Sequence, residues 1–295
     1  MKYKKLIFTA ALLTAAISTG LYFLEKNDRF LTLEIKSDHP YEPAFETRPL
    51  SNAELDEVNQ ALSQKYSYLA CGGQAFVFFS EDGQYALKFF KQRHFRQPTY
   101  LNYIPFIDKY RNLKFAKRKK RILQEYGSYK LGFNELPNET ALVYLHLNKT
   151  NHFKRPVTLI DRLGLVHEID LDTTDYILQR RAYLVPDTIN KQMNAQDIEG
   201  AKQTISSIVD LIVFRCKQGY GDKDPNIATN CGIFEGRAIK IDVGRFYRDP
   251  RMKLPLFYKP ELFHLTRPFR KWLTDHHPEL VPHLDREVQK VIYYG

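Results

Sequence analysis

Residues 219–246, GYGDKDPNIATNCGIFEGRAIKIDVGRF, carry side chains that are well suited to bind a metal ion. Carboxylates and amides crowd the first half of the stretch, and a further aspartate, Asp242, ends the apolar run AIKID. Carboxylate and amide oxygens are ligands for Mg²⁺, which also takes phosphate oxygens from substrates. The stretch therefore predicts either a site for Mg²⁺ and a nucleotide phosphate or an acidic turn that joins a helix to a hairpin.

A second group of residues that could do chemistry lies at 68–91, YLACGGQAFVFFSEDGQYALKFFK. Two β-rich runs flank the sequence EDG at 81–83, which predicts a hairpin turn. Gly72 and Gly73 lack a Cβ, so their backbone N–H groups can approach a phosphate closely. Lys88 is a lone cation in an apolar strand, which is costly unless its ammonium reaches an anion. The alternatives are an ordinary glycine turn and an outward-pointing lysine.

The order of these segments resembles that of the protein-kinase-like superfamily. CGGQAFVF and YALKFF resemble its glycine-rich loop and strand lysine, and IDVG resembles its Asp-Phe-Gly element. The resemblance implies that Gly72 and Gly73 lie over the phosphates of ATP and that Lys88 contacts the α- and β-phosphates. It also implies that Asp242 is a ligand of Mg²⁺. The loop departs from G-x-G-x-x-G, because Ala75 stands where a glycine is expected.

The resemblance also implies a glutamate that pairs with Lys88 and a hinge that borders the nucleotide. Glu125, in a basic helical stretch expected at about 111–126, is the first candidate for the glutamate, and Glu135 is the second. Gln179, in LQRRAYL, falls at the expected hinge and is assigned to cofactor binding. A polar strand end is the alternative for Gln179.

Two assignments in the acidic loop stay open. By the same resemblance, Asp222 or Asp224 is the catalytic base, and Asn226 or Asn230 is the second Mg²⁺ ligand. The family pattern H-R-D-x-x-x-x-N is not met: the histidine is absent, Asp222 to Asn226 is one residue short, and Asp224 to Asn230 is one residue long. Asn230 is favoured because it opens the strand that pairs back towards Asp242. A solvated turn around Pro225 is the alternative for the loop.

The pattern of elements predicts an α+β chain with a bilobal, protein-kinase-like fold behind an N-terminal transmembrane helix. We expect a β-rich N-lobe of about five strands at 51–187 and a smaller helical C-lobe at 188–295, preceded by a linker at 29–50. Ser51-x-x-Glu54 is a capping box that predicts the entry helix. The most regular apolar periodicity follows NAQD, at 194–197, and predicts a helix that stops at Gly219.

The N-terminus carries an uncharged run of apolar character, LIFTAALLTAAISTGLYFL, at 6–24. Its length suits the roughly 20 residues that cross a bilayer. Residues 1–28 are therefore expected to form an uncleaved, single-pass membrane anchor. A cleaved signal peptide, followed by secretion, is the alternative. Basic residues lie on both sides of the run, so the sequence assigns no orientation.

Composition sets further bounds on the function. The formal net charge is +10 in 295 residues, and a concentrated source of basic residues is KFAKRKKRI at 114–122. Neither zinc-finger spacing nor an RNA-binding aromatic signature accompanies the charge, so no specific nucleic acid is expected. Three cysteines without a CxxC pair predict neither a disulfide framework nor a cysteine-based zinc site.

Three functions are compatible with the sequence. The first is a phosphotransferase that uses ATP and Mg²⁺, with an unknown phosphate acceptor. The second is a catalytically inactive pseudokinase that serves as a membrane-tethered binding or scaffold protein. The third is a basic module, at 111–122, that binds anionic lipid. Only 51 residues follow Gly244, and no Ala-Pro-Glu element occurs among them, which implies a compact C-lobe.

Overall fold

The computed structural model describes residues 2–27, 29–224 and 226–294, with side chains from residue 7 onwards. Met1 and Asp28, at the limits of the expected anchor, lie outside the described residues, as do Pro225 of the acidic loop and the last residue, Gly295. The described chain is a mixed α/β structure with a large sheet, a helical C-terminal region and an apolar N-terminal helix.

The described part of the chain has the following helices and strands. The α-helices are α1 (Lys2–Lys26), α2 (Thr32–Ile35), α3 (Asn52–Leu62), α4 (Asp108–Glu135), α5 (Pro137–Thr140), α6 (Val185–Asn194), α7 (Ile198–Lys217), α8 (Ile227–Asn230), α9 (Pro255–His276) and α10 (Val281–Tyr294). The 3₁₀ helices are Pro43–Phe45, Gln92–His94, Thr99–Tyr103, Pro250–Lys253 and Pro278–Leu280. The strands are β1 (Tyr66–Cys71), β2 (Ala75–Ser80), β3 (Tyr85–Phe90), β4 (Leu142–His146), β5 (Pro156–Ile160), β6 (Val166–Asp170), β7 (Tyr176–Arg180), β8 (Tyr183–Leu184), β9 (Tyr220–Asp222), β10 (Cys231–Phe234), β11 (Arg237–Lys240) and β12 (Phe246–Arg248).

Seven strands form the large sheet, in the order β4-β7-β3-β2-β1-β5-β6. All neighbours are antiparallel except β1 and β5, which run parallel. The sequence predicted about five strands, and the structure adds two. Strand β6 is hard to recognise in the sequence because only Ile169 of its five residues is buried.

The expected turn between β2 and β3 is confirmed, with Gly83 at φ +71°. The capping box at the start of α3 is confirmed as well, since the Ser51 hydroxyl accepts from the Glu54 amide and the Glu54 carboxylate accepts from the Ser51 amide. The long periodic helix is α7. Asp197 is its N-cap, because its carboxylate accepts from the Gly200 amide, and Gly219 follows it at φ +89°.

Apolar side chains cover both faces of the large sheet. One face packs against α3 and the chain around residue 30, and the other packs against α4. A separate core holds α6, α7, α9 and α10 together. Residues 29–50, expected to be a linker, pack on the sheet: Phe30, Ile35 and Phe45 are buried, and the His39 ring lies 3.0 Å from the Asp175 carboxylate.

The N-terminal helix α1 is apolar and solvent-facing. Its segment Ile7–Lys26 has a mean hydropathy of 1.8, and none of it is buried in the protein. A membrane span and a signal sequence both fit this length and composition.

Candidate functional site

A cleft of about 650 Å³ lies between the large sheet and the C-terminal helical region. Its walls come from the β1–β2 loop, strand β3, helix α4, the segment between β7 and α6, and the residues on either side of the β10–β11 hairpin. The sequence-derived site residues that line it are Gly72, Gly73, Lys88, Glu125, Gln179, Asn230 and Asp242. The other three, Asp222, Asp224 and Asn226, are not among its lining residues.

Strand β3 places Ala86 and Lys88 on the cleft side, because residues two apart in a strand share a face. Leu87 and Phe89 point into the apolar core on the opposite face. Lys88 is buried although it faces the cleft, and its ammonium donates to the Ile241 carbonyl at 2.5 Å. Burial lowers the pKa of Lys88 to about 8, although the neighbouring Asp242 carboxylate opposes this shift.

Helix α4 carries Glu125 and Tyr129 into the cleft, one turn apart. Glu125 is buried, and the side-chain amide of Gln74 lies against its carboxylate. Burial, reinforced by the charge of Asp242, raises the pKa of Glu125 to about 8, whereas nearby arginines act in the opposite direction. The ion pairs of the described residues do not include one between Lys88 and Glu125, so the lysine–glutamate pair implied by the resemblance is not formed here.

The second candidate for the lysine partner, Glu135, lies at the end of α4. Its carboxylate accepts from the Tyr220 hydroxyl and pairs with Arg248. Glu135 does not line the cleft. Of the two glutamates, the structure therefore brings only Glu125 near Lys88.

Asn230 and Asp242 meet because the β10–β11 hairpin joins the residues that flank it. The Asn230 carbonyl accepts from the backbone amides of Ile241 and Asp242, at 2.8 and 3.3 Å. The Asp242 carboxylate accepts from the Tyr129 hydroxyl at 3.3 Å and from the Gly244 amide at 3.1 Å. Burial, and then the Asp242 charge, raise the pKa of the Tyr129 hydroxyl, which therefore stays protonated as a donor.

The two candidates for the base lie outside the cleft. The Asp222 carboxylate is buried and forms an ion pair with Lys240 at 2.6 Å. The same carboxylate accepts from the Asp224 amide, and the Lys240 ammonium also donates to the Asp224 carbonyl. Both aspartates border a separate cavity of about 20 Å³. Strand β11 produces this arrangement, because Lys240 extends from it towards the acidic loop.

Asn226 occupies a capping position. Its side-chain oxygen accepts from the Thr229 amide at 3.2 Å, at the N-terminus of α8. The residue is exposed. The structure thus places Asn230 beside Asp242 in the cleft and Asn226 at a helix end.

Two basic residues contact the backbone carbonyls of the β1–β2 loop. The Lys91 ammonium donates to the Gly72 carbonyl and lies 3.0 Å from the Cys71 sulfur, and the His94 ring lies 2.9 Å from the Gly73 carbonyl. A Cβ at Gly73 would meet no atom within 4 Å, so the space above this glycine is open. The loop therefore presents open backbone to the cleft while its carbonyls are engaged elsewhere.

Gln179 joins the sheet to the C-terminal region. Its side-chain amide donates to the Thr140 carbonyl at 2.5 Å and to the Lys240 carbonyl at 3.2 Å, and the residue is buried. The amide nitrogen is thus fully used by the protein. Gln179 borders the cleft as a cross-link between its two walls.

Sequence reasoning did not single out Lys91, Tyr129 or Lys240. A usable signal existed for Lys240, which is a lone cation in the apolar run AIKID, just as Lys88 is in YALKFF. No comparable signal marks Lys91 or Tyr129, because their partners lie on other elements of the fold.

The oxygen atoms of the cleft fit Mg²⁺ bound together with a phosphate. Groups of three or more His, Cys, Asp or Glu residues that could hold a metal do not occur among the described residues. Mg²⁺ is commonly held by one or two carboxylates together with substrate phosphates and water. Asp242 and the Asn230 amide would supply the protein ligands of such a site.

Neither a protein-family model nor a curated protein matches the sequence. Among solved structures, the bifunctional kinase-methyltransferase WbdD is similar at 14% identity and a TM-score of 0.33, over 73% of this chain and 43% of WbdD. Rv3197 from Mycobacterium tuberculosis, solved with erythromycin, is similar at 13% identity and a TM-score of 0.31, over 81% of this chain and 60% of that one. The chain thus spans less than half of WbdD. Because these TM-scores are low, the function proposed below rests on the geometry of the cleft.

Proposed function

We propose that this chain is a phosphotransferase of the protein-kinase-like superfamily that uses ATP and Mg²⁺. The observation that carries the proposal is the convergence of Lys88, Asn230 and Asp242 in one cleft, which is also bordered by the β1–β2 loop with its open Gly73. These residues come from distant parts of the sequence, in the order that the superfamily uses. The proposal assigns 51–187 to the N-lobe and 188–295 to the C-lobe, and it leaves the phosphate acceptor open.

The size and lining of the cleft suit a nucleotide. Its volume of about 650 Å³ lies within the range of small-molecule sites, roughly 300–1,000 Å³. Val77, Ala86 and Ile241 supply apolar walls on which a base can pack, and Gly72 and Gly73 border the same space. Binding of the base between these walls would direct the phosphates towards Lys88 and Asp242.

Lys88 and Asp242 would have different roles in binding the phosphates. A phosphate beside Lys88 would favour its charged form, because a nearby anion raises the pKa of an ammonium group that burial has lowered. Mg²⁺ at Asp242 and Asn230 would neutralise the phosphate oxygens during transfer. Tyr129 and the Gly244 amide hold the Asp242 carboxylate in position through their hydrogen bonds.

A second candidate function is nucleotide binding without phosphate transfer, as in a pseudokinase. The observation that favours it is the buried ion pair between Asp222 and Lys240, which keeps a candidate base out of the cleft. In that case the chain would serve as a membrane-tethered binding or scaffold protein. Phosphate transfer separates the two functions, whereas nucleotide binding is common to both.

Calorimetric titration of the full-length protein with ATP, with and without Mg²⁺, tests the proposal. We expect binding that Mg²⁺ strengthens, and a weaker affinity in Lys88→Ala, whereas the exposed-lysine control Lys65→Ala should bind like the parent. Release or transfer of the γ-phosphate would support the phosphotransferase, and binding alone would support the pseudokinase. Absence of ATP binding by a folded parent protein would refute both.

The proposal also assigns α1 to a single-pass membrane anchor. The helix is long and apolar enough, and it is unburied in the protein. We expect the full-length chain in the membrane fraction, resistant to extraction with alkaline carbonate. A shortened product in the medium would instead show a cleaved signal sequence.

A further inference from the structure

An unusual group of exposed apolar side chains precedes and begins helix α4. We name residues 99–113 the aromatic segment. Its exposed apolar residues are Tyr100, Tyr103, Ile104, Phe106, Tyr110 and Leu113. Phe106 is 100% exposed and Tyr103 is 88% exposed, so neither ring contributes to a core. Clustered exposed apolar residues on a soluble surface commonly mark an interaction site.

The backbone conformation of Phe106 is energetically unfavourable. Its φ is +63°, in the left-handed region that bulky residues rarely adopt. Such a conformation is retained only where the surrounding chain imposes it. The exposed ring of Phe106 therefore projects from a turn just before α4, which begins at Asp108.

The first half of α4 adds a high positive charge to the same surface. Residues 108–121 contain eight basic residues and one acidic residue. The basic residues are Lys109, Arg111, Lys114, Lys117, Arg118, Lys119, Lys120 and Arg121. The Lys114 ammonium lies 5.1 Å from the centroid of the Tyr110 ring, so the aromatic and basic groups are interleaved.

Residues 33–38, which follow the N-terminal helix, pack against residues 93–96, just before the aromatic segment. Glu34 lies 3.7 Å from the Arg93 guanidinium, and Asp38 accepts from Arg96 at 2.9 Å. Arg96 also donates to the Leu33 carbonyl at 3.1 Å. Only two residues separate Arg96 from the aromatic segment. The proposed anchor and the aromatic segment are thus connected through one packed patch of the structure.

We infer that residues 99–121 form a second membrane contact, which docks on an anionic lipid surface next to the proposed anchor. Aromatic side chains favour the headgroup level of a bilayer, and basic residues close to the surface are attracted to anionic lipids. Each basic residue near such a surface strengthens binding about fivefold. The inference relies on the anchor assignment, but it does not rely on nucleotide binding.

Charge and composition favour lipid over two other occupants. A second copy of this chain would bring two clusters of eight like charges together, and such like-charge contacts are unfavourable. A single-stranded nucleic acid could stack on the aromatic rings and pair with the cations. The neighbouring 20-residue apolar segment Ile7–Lys26 favours the membrane, because it would hold the aromatic segment close to the bilayer surface.

Tryptophan fluorescence in nanodiscs tests the inference on the full-length protein. Phe106→Trp would be reconstituted at one chain per disc, in phosphatidylcholine alone or with about 30% phosphatidylserine. The native Trp272 emits in every variant, so the signal is the difference from the parent protein. With phosphatidylserine we expect this difference emission to shift to shorter wavelength and to be quenched when the lipid acyl chains carry bromine. The matched variant Phe263→Trp, at an exposed position of α9, should show neither change.

Charge reversal gives an independent test in the Phe106→Trp background. The triple variant Lys117→Glu/Lys119→Glu/Lys120→Glu should lose the phosphatidylserine-dependent quenching. Reversal of three exposed charges on α9 and α10, Arg267→Glu/Lys271→Glu/Arg286→Glu, should leave it unchanged. Circular dichroism would verify that both triple variants are folded.

Four results would overturn the inference. The first is absence of quenching in discs with phosphatidylserine, and the second is an equal loss of quenching in both triple variants. The third is a change of emission that requires two chains per disc. The fourth is a change of emission caused by a single-stranded RNA but not by phosphatidylserine. The third result would identify a second copy as the occupant, and the fourth would identify a nucleic acid.

Discussion

Two acidic positions near the same hairpin have opposite environments. Asp242 follows β11 and faces the cleft, where, among the described residues, its carboxylate accepts from two neutral groups, the Tyr129 hydroxyl and the Gly244 amide. Asp222 ends β9, and its carboxylate is neutralised by Lys240 in a buried ion pair at 2.6 Å. Among the ion pairs of the described residues, Asp222 therefore has a cation as direct partner, whereas Asp242, in the cleft, has none.

The difference shows that the environment decides which carboxylate is already compensated by a cation of the protein. Lys240 compensates the Asp222 charge within the protein, so Asp222 has little to gain from Mg²⁺. Asp242 lies near the Lys88 ammonium, but that ammonium donates to the Ile241 carbonyl. Asp242 is thus available to a ligand, whereas Asp222 contributes to the structure.

The largest expected effect comes from breaking the buried ion pair. Asp222→Ala would leave the buried Lys240 charge without its carboxylate partner, which should lower the free energy of unfolding by about 3–5 kcal/mol. Chemical denaturation would measure the loss. The double variant Asp222→Leu/Lys240→Met, which removes both charges, should recover much of it, and the neighbouring Asp224→Ala should lose far less. A fully stable Asp222→Ala protein would show that the pair is not structural.

The next largest effect concerns Asp242, the proposed Mg²⁺ ligand. Asp242→Asn should abolish the part of ATP binding that depends on Mg²⁺, a loss of about 2–3 kcal/mol, because one charged oxygen ligand is removed. Asn230→Ala should have a smaller effect on the same quantity. Calorimetric titration with and without Mg²⁺ measures both. If Asp242→Asn bound Mg-ATP like the parent protein, the segment IDVG would be only a strand end.

A third prediction concerns the pH dependence of stability that follows from the raised pKa of Glu125. Its pKa is about 8 in the folded protein and 4.5 ordinarily, so the folded state binds the extra proton between these pH values. The free energy of unfolding of the parent should therefore fall, relative to Glu125→Gln, as the pH rises from about 4.5 to 8. The expected change is about 2–4 kcal/mol.

Denaturation of the parent and Glu125→Gln at pH 5 and pH 8 would measure this change. Glu135→Gln, on the same helix but outside the cleft, is the control. Lys88 contributes in a different window: its pKa is lowered to about 8 from 10.5, so its contribution to stability rises with pH above about 8. A pH-independent difference between the parent and Glu125→Gln would contradict the environment described for this carboxyl.

The smallest expected effect is at Asn226. Loss of its capping oxygen in Asn226→Ala should cost about 1 kcal/mol of stability or less, since α8 is a single short turn. Mg²⁺-dependent ATP binding should stay unchanged, and Asn226→Asp should keep the cap. Thermal unfolding together with calorimetry would check both expectations. A large loss of Mg²⁺ dependence in Asn226→Ala would reverse the assignment of the two asparagines.

Local signals in the sequence predicted the local elements well. The turn at Gly83, the capping box at Ser51 and the end of α7 before Gly219 each depend on residues within a few positions of one another. The proximity of Asn230 and Asp242 also followed from the sequence, because a short hairpin brings its flanking residues together. These predictions required only backbone preference and side-chain spacing.

Partners that lie far apart in the sequence were decided by the tertiary structure. The pairing of Asp222 with Lys240, the cross-link from Gln179 to Thr140 and Lys240, and the hydrogen bond from Lys88 to the Ile241 carbonyl each join different elements. The sequence alone determined the turn between β2 and β3, the capped start of α3 and the periodic helix α7, whereas it predicted only about five of the seven strands of the large sheet. Only the tertiary structure decided which charges are compensated, because burial and partner distance depend on how the sheet packs against the C-terminal helices.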